Sequence, residues 1–135
     1  MCAFRGTRKE CEVIMSLLES GENYLESIYR LSMIKEGVHA IDIVNDLGYS
    51  KPSVSIALKK LKEKNYLIID SESHIILTQS GLEIAKRIFE RHQVISTLLV
   101  KLGVDKNTAD EDACKIEHDL SKESFEALKN LNNKL

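Results

Sequence analysis

A mainly α-helical fold with one small β-hairpin is predicted for this chain of 135 residues, and three observations carry the prediction. Apolar residues recur at helical spacing along most of the sequence from Ser20 onward, and a single proline interrupts it. Two short β-favouring runs, Leu67–Ile69 and Ile75–Leu77, enclose the polar tip Asp70–His74, which reads as a hairpin. Glycines 37, 48 and 103 stand where helical patterns stop. Hydrophobic residues make up 43% and charged residues 30%, with no low-complexity run, so most of the chain is not disordered. The length supports one compact domain, or two small ones sharing a continuous core, and leaves little room for a large enzyme cleft.

Residues 1–19 show no clear period and are set apart as an N-terminal extension, in which Met15 is an alternative start. The first helix is expected in SGENYLESIYRLSMIKEG, with Ser20 as N-cap, Leu25, Ile28 and Leu31 inward, and Gly37 as stop. HAIDIVNDLGYS gives a short helix with Ile41, Val44 and Leu47 on one side, ended by Gly48. SKPSVSIALKKLKEKNYL starts a third at Ser50 with Pro52 in its first turn and Val54, Ala57, Leu58 and Leu61 as the buried stripe. Two helices joined by a short glycine-containing turn form a helix-turn-helix, and the hairpin that follows is a wing. Thr78 or Ser80 caps the longest helix, GLEIAKRIFERHQVISTLLVKLG, of about six turns. VDKNTADEDACKIEHDLS and KESFEALKNL provide two more helices, the last starting near Ser121. The expected organisation is an N-terminal winged helix-turn-helix over 20–80 and an α-helical domain over 81–135.

Charge is distributed unevenly. Ser50 to Tyr66 holds five lysines and one glutamate, whereas Asp105 to Glu126 holds eight acids and three lysines. On the third helix the outward positions are Lys51, Ser53, Ser55, Ile56, Lys59 and Lys60, with Ser50 and Pro52 at its start. Hydroxyls near a helix N-terminus approach phosphates and base edges, lysines release counterions, and an exposed isoleucine suits a thymine methyl. A lysine-rich face alone is more often a solvated surface; the preceding short helix and following wing favour DNA.

The segment ACKIEHD raises a second chemistry. On one continuous helix Cys114, Glu117 and His118 lie within an arc of about 100°, so a thiolate, a carboxylate and an imidazole converge on one side. A cation needs further partners, and His92 and Glu26, each among apolar neighbours on another helix, are candidates. Each has a plainer explanation, a hydrogen-bonded core histidine and a helix-dipole glutamate.

The order of helix, helix-turn-helix with SKPSVS, wing, long helix with Arg91–His92, and ACKIEHDLS, together with ENYLESIY, resembles the diphtheria toxin repressor family of metal-dependent transcriptional repressors, including its short manganese-transport-regulator branch. The resemblance spans about residues 20–131. It implies metal ligands at Asn23, Glu26, His92, Cys114, Glu117 and His118, and no catalytic role. Cys114 matches the iron branch, where manganese regulators have a glutamate, and Glu26 matches the manganese branch. Asn23 replaces the methionine or aspartate of either and offers a neutral carbonyl. Asp110 and Ser96 stand where the iron branch has the histidine and glutamate of a second site, so that site is not carried over. The SH3-like domain of the longer iron regulators is absent from the match, so a two-domain form is expected.

Fe(II) is the expected metal and Mn(II) the second; Zn(II), Co(II) or Ni(II) are expected to bind in vitro whatever the cell uses. The expected partners are double-stranded operator DNA and a second copy of the chain, with no membrane. Phe125, Leu128 and Leu131, with Leu98, Leu99 and Leu102, either form the dimer surface or fill the monomer core. No stretch reaches the roughly 18 apolar residues of a membrane span and the N-terminus lacks an apolar signal core, so a cytoplasmic location is expected. Cys2, Cys11 and Cys114 lack CxxC spacing and are expected to be reduced. Two rival readings remain: a winged-helix regulator answering to an organic ligand or to thiol oxidation, and a small metal-dependent hydrolase, which lacks an evident general base.

Overall fold

The computed structural model describes residues 20–135. The chain is mainly helical with one two-stranded antiparallel sheet, and it forms two compact units that meet in sequence at Lys86–Arg87. The expectations for the 1–19 extension lie outside the described residues, as does the side chain of Ser20.

The first unit contains α1 (Ser20–Ile34), α2 (Ala40–Leu47), α3 (Lys51–Glu63), β1 (Leu67–Ile69), β2 (Ile75–Leu77) and the start of α4 (Gln79–Lys101). Leu25 and Ile28 of α1, Ile43 of α2, Val54 and Leu58 of α3 and Leu67 of β1 are buried together in its core. Each such side chain contributes roughly 1.5–3 kcal/mol relative to exposure, which outweighs the modest propensity of these short helices.

In α2 the buried side chain is Ile43, with Val44 and Leu47 half-buried, while Ile41 is 46% exposed. This corrects the expected Ile41 stripe. Two steps of 100° put Ile41 nearly opposite Ile43, and only one of them can face α1 and α3. The helix starts where the Asp42 carboxylate accepts the His39 backbone N–H at 2.8 Å. It ends at Gly48, whose φ of 73° lets its N–H return to the Val44 carbonyl at 2.9 Å. Two residues later Ser50 caps α3, its hydroxyl accepting the Ser53 N–H at 3.2 Å, with Pro52 in the first turn.

The wing pairs Leu67 with Leu77, Ile68 with Ile76 and Ile69 with Ile75. Its tip is held by the Asp70 carboxylate, which accepts the backbone N–H groups of Glu72 and His74 at 2.9 and 2.8 Å. The Ile75 N–H donates to the Val38 carbonyl at 2.8 Å, tying the wing to the α1–α2 connection. Of the two candidate caps of the long helix, Thr78 is the one used: its hydroxyl accepts the Gly81 N–H at 3.3 Å, and the helix begins at Gln79. Gly81 is required there because a Cβ would collide with the Tyr66 carbonyl.

The second unit comprises residues 87–101 of α4, α5 (Lys106–Ile116) and α6 (Lys122–Lys134). Gly103, at φ 101°, turns the chain, and Asp105 caps α5 by accepting the N–H groups of Asn107 and Thr108. Ile88, Ile95 and Leu98 of α4, Ala109 and Ala113 of α5, and Phe125 of α6 are buried. Phe125 and Leu98 are therefore already covered within one chain, whereas Leu102 and Leu131 stay 61% and 43% exposed. Ser121 caps α6 through the Ser124 N–H at 3.0 Å.

The acidic segment ends as a helix earlier than expected, at Ile116, with Glu117 as C-cap at φ −58°, ψ −29°. His118 lies beyond it, which corrects the placement of Cys114, Glu117 and His118 on one continuous helix. The Asp119 N–H turns back to the Ile116 carbonyl at 3.1 Å, a tighter spacing than the α-helical one, and Ser121 then opens α6.

Candidate metal centre and nucleic-acid interface

In the second unit α4 presents His92 toward the end of α5. Its Nδ1 lies 2.8 Å from Glu117 Oε2, and His118 Nε2 lies 3.2 Å from Glu117 Oε1. The Glu117 carboxylate is 0% exposed and each of its oxygens meets an imidazole nitrogen. On the far side of His92, Nε2 lies 3.9 Å from Asp110 Oδ1. Asp110 itself accepts a very short hydrogen bond from the Ser96 hydroxyl and contacts the Lys106 ammonium at 3.1 Å. Burial opposes its ionisation, but Ser96 and Lys106 outweigh that and hold its carboxyl below the usual carboxylate range.

Cys114, one helical turn before Glu117, is 4% exposed and disulfide-bonded. The expectation that Cys114 is reduced is corrected accordingly; those for Cys2 and Cys11 lie outside the described residues. As a disulfide its sulfur has no thiolate to donate, so ligation by Cys114 requires reduction. One carboxylate and two imidazoles, joined by the thiolate once reduced, fit a first-row divalent cation by donor type. In the structure His92 Nδ1 and Glu117 Oε2 lie at hydrogen-bond distance, and no set of three or more His, Cys, Asp or Glu is arranged to hold an ion among the described residues.

Asn23 and Glu26 are buried on α1 in the first unit, 2% and 3% exposed. Glu26 Oε1 accepts from Arg30 Nε at 3.2 Å, and the same guanidinium grips Asp46 of α2 at 2.7 and 3.3 Å. The Ser27 hydroxyl adds a 2.6 Å bond to Asp46. Burial works against the Arg30 charge, yet Asp46 and then Glu26 raise its pKa above the ordinary value. Sequence reasoning did not single out Arg30, although its four-residue spacing from Glu26 was a signal. Nor did it give a role to Arg91, whose Nη1 donates to the carbonyls of Glu117 and Leu120 at 3.0 and 2.7 Å; nothing in the spacing announces that contact.

On α3, Lys51, Pro52, Ser55, Ile56, Lys59 and Lys60 are exposed, Ile56 at 57%. Ser53 is half-buried, and the Ser50 hydroxyl donates to its Oγ at 2.8 Å. Those two serines build the cap, while Ser55, Ile56 and the lysines stand outward. The helix therefore offers a basic face with one hydroxyl and one apolar side chain toward solvent, carried by a short preceding helix and followed by a hairpin.

A winged helix-turn-helix followed by a helical unit that gathers histidines around a buried carboxylate defines the class of metal-responsive transcriptional regulators. Residues 16–75 match the N-terminal DNA-binding domain of iron-dependent repressors, and residues 78–135 match their metal-binding and dimerisation domain. The chain belongs to this family of metal-dependent transcriptional repressors, the one to which the diphtheria toxin repressor resemblance pointed. It is 39% identical to an uncharacterised HTH-type transcriptional regulator of Methanocaldococcus jannaschii, over 82% of this chain and 90% of that one. It is 35% identical to the regulator MntR of Listeria welshimeri, over 83% of this chain and 79% of that one. Among solved structures it is similar to the manganese regulator SloR, with 29% identity, a TM-score of 0.76 and 84% of this chain covered. It spans 53% of the SloR chain. These relatives are transcriptional regulators, not enzymes, which sets the hydrolase reading aside. Among the described residues no helix is long and apolar enough to cross a membrane.

Proposed function

We propose that this chain is a cytoplasmic repressor that binds operator DNA as a homodimer when loaded with Fe(II), or second to it Mn(II), and so controls metal-ion homeostasis. The observation that carries the reading is the fully buried Glu117 carboxylate between His92 and His118, in the part of the chain that matches a metal-binding domain. Asn23, Glu26 and reduced Cys114 complete the proposed ligand set. The proposed DNA surface is Ser50, Lys51, Pro52, Ser53, Ser55, Ile56, Lys59 and Lys60, and the proposed division places reading over 20–80 and metal binding with dimerisation over 81–135. Fe(II) is placed first because the Cys114 thiolate raises affinity along the Irving–Williams order; Glu26, together with relatives named as manganese regulators, supports Mn(II).

When bound, a divalent cation supplies the positive charge that lets several donors share one centre. The chain's own residues do the rest. Glu26 and Asn23 sit on α1, which packs in the core of the DNA-binding unit, while His92, Glu117 and His118 sit in the other unit. In a two-fold dimer, reading an operator requires one arrangement of the reading helices, because successive major grooves lie about 34 Å apart. DNA affinity then rises only by the difference in metal affinity between competent and incompetent states. The test is a gel shift with a metal series under anaerobic, reducing conditions. Activation is expected with Fe(II) and Mn(II) and loss with chelator; chelator-insensitive binding by metal-stripped protein overturns the proposal. The Cys114 disulfide favours a second reading, switching by thiol oxidation, in which oxidants and not chelators release the DNA.

A further inference from the structure

Arg91 and His92 are neighbours on α4, and both reach the same short stretch of chain by different means. His92 meets the side chain of Glu117, whereas Arg91 meets its main chain. The Arg91 Nη1 forks between the Glu117 carbonyl at 3.0 Å and the Leu120 carbonyl at 2.7 Å, spanning 26 and 29 residues of sequence. The Glu117 carbonyl, at the end of α5, lacks a partner within that helix, and the negative helix end favours a cation, so the guanidinium suits both needs; the Leu120 carbonyl stands in the link before α6. Its Cζ lies 5.3 Å from the centre of the Phe125 ring, which packs over the group from α6. Among the described residues its Nε is buried without a hydrogen-bond partner, and the two carbonyls and the ring hold the group.

We propose that Arg91 is a positioning residue for metal binding: by fixing the main chain at Glu117 and Leu120, it sets where the Glu117 carboxylate and the His118 imidazole stand relative to His92. The geometry makes this specific. The stretch from Glu117 to Leu120 lies between the end of α5 at Ile116 and the cap of α6 at Ser121, so no regular helix holds both ligands. Arg91 clasps that stretch at its first and last residues. A donor displaced by about 1 Å is a poorer ligand, and groups that orient metal ligands typically carry 10–100-fold in affinity. Lysine keeps the charge and can reach one carbonyl, but it lacks the rigid fork and the flat face that stacks on Phe125.

The inference rests on the assignment of His92, Glu117 and His118 as ligands, and the experiment separates the two. Co(II) is titrated into the reduced, metal-stripped full chain in competition with a colorimetric chelator, and its visible absorption bands, which report ligand geometry, are recorded for wild type, Arg91→Lys, Arg91→Met and Glu117→Gln. Arg91→Lys is expected to weaken Co(II) binding about 10-fold and Arg91→Met about 100-fold, with shifted bands and an unchanged helical circular dichroism signal in the metal-free protein. If Arg91→Met does not fold, Arg91→Lys decides alone. Wild-type affinity and bands in Arg91→Lys, with binding lost in Glu117→Gln, overturn the positioning role and leave the ligand assignment standing. Wild-type Co(II) binding in Glu117→Gln overturns the assignment itself, and the inference with it.

Discussion

Replacing Glu117 by glutamine separates what the buried carboxylate does for the fold from what it does for an ion. The carboxylate is 0% exposed, with His92 Nδ1 2.8 Å from one oxygen and His118 Nε2 3.2 Å from the other. A glutamine fills the same volume, keeps one acceptor oxygen, and turns an amide donor toward the second imidazole. That ring can answer by changing tautomer, so both contacts survive and the metal-free stability changes by about 1 kcal/mol or less. Metal affinity behaves differently, because the amide brings no negative charge. A direct ligand should count for at least as much as the groups that orient it, so the loss is about 100-fold or more. At a metal concentration of about 100 times the wild-type dissociation constant, binding stabilises the wild type by about 2.7 kcal/mol and the variant by about 0.4 kcal/mol. At about 4 °C per kcal/mol, metal raises the wild-type melting temperature by about 10 °C and that of the variant by about 2 °C. Thermal melts with and without chelator measure this directly. Equal metal-induced shifts in the two proteins would refute the ligand role. A metal-free melting temperature tens of degrees lower in the variant would show instead that Glu117 is mainly a structural carboxylate.

Two further outcomes follow from the first unit. Lys59→Ala combined with Lys60→Ala should weaken operator binding by metal-loaded protein at all sequences alike and flatten the log–log salt dependence by about 2, since each phosphate contact contributes about 0.9; an unchanged slope would remove both lysines from the interface. The Asp42 carboxyl is held below its ordinary value of 3.8, first by the Lys35 ammonium at 2.8 Å and then by the His39 backbone N–H. Its contribution is therefore fully present above about pH 4 and is lost as pH falls through the lower folded-state value. The stability advantage of wild type over Asp42→Asn in acid titrations should be constant near neutrality and shrink below pH 4; a constant difference down to pH 2 contradicts it.

Much of the fold was readable from periodicity because each element carries its own stop signal. Gly48 ends α2 through a positive φ, Ser50 and Pro52 open α3, and the hairpin register follows from two apolar triplets around the Asp70 tip. Errors arose where local pattern leaves two choices. Ile41 and Ile43 are both β-branched and apolar, and which one is buried depends on where α1 and α3 lie, not on α2 alone. The acidic segment continues to look helical past Ile116, but its backbone tightens at Asp119 and restarts at Ser121.

The sequence by itself determined the order of helices and wing, the basic face of α3 and the residue types that suit a cation, because propensity, capping and side-chain chemistry are local properties. Only the tertiary structure decided that Glu117 is buried between His92 and His118, that Arg91 grips the chain on either side of His118, and that Arg30 joins Glu26 to Asp46. Most of those contacts join residues many positions apart in sequence, and even the neighbours Glu117 and His118 and the four-residue pair Glu26 and Arg30 take their places from how helix surfaces pack, which a local window does not contain.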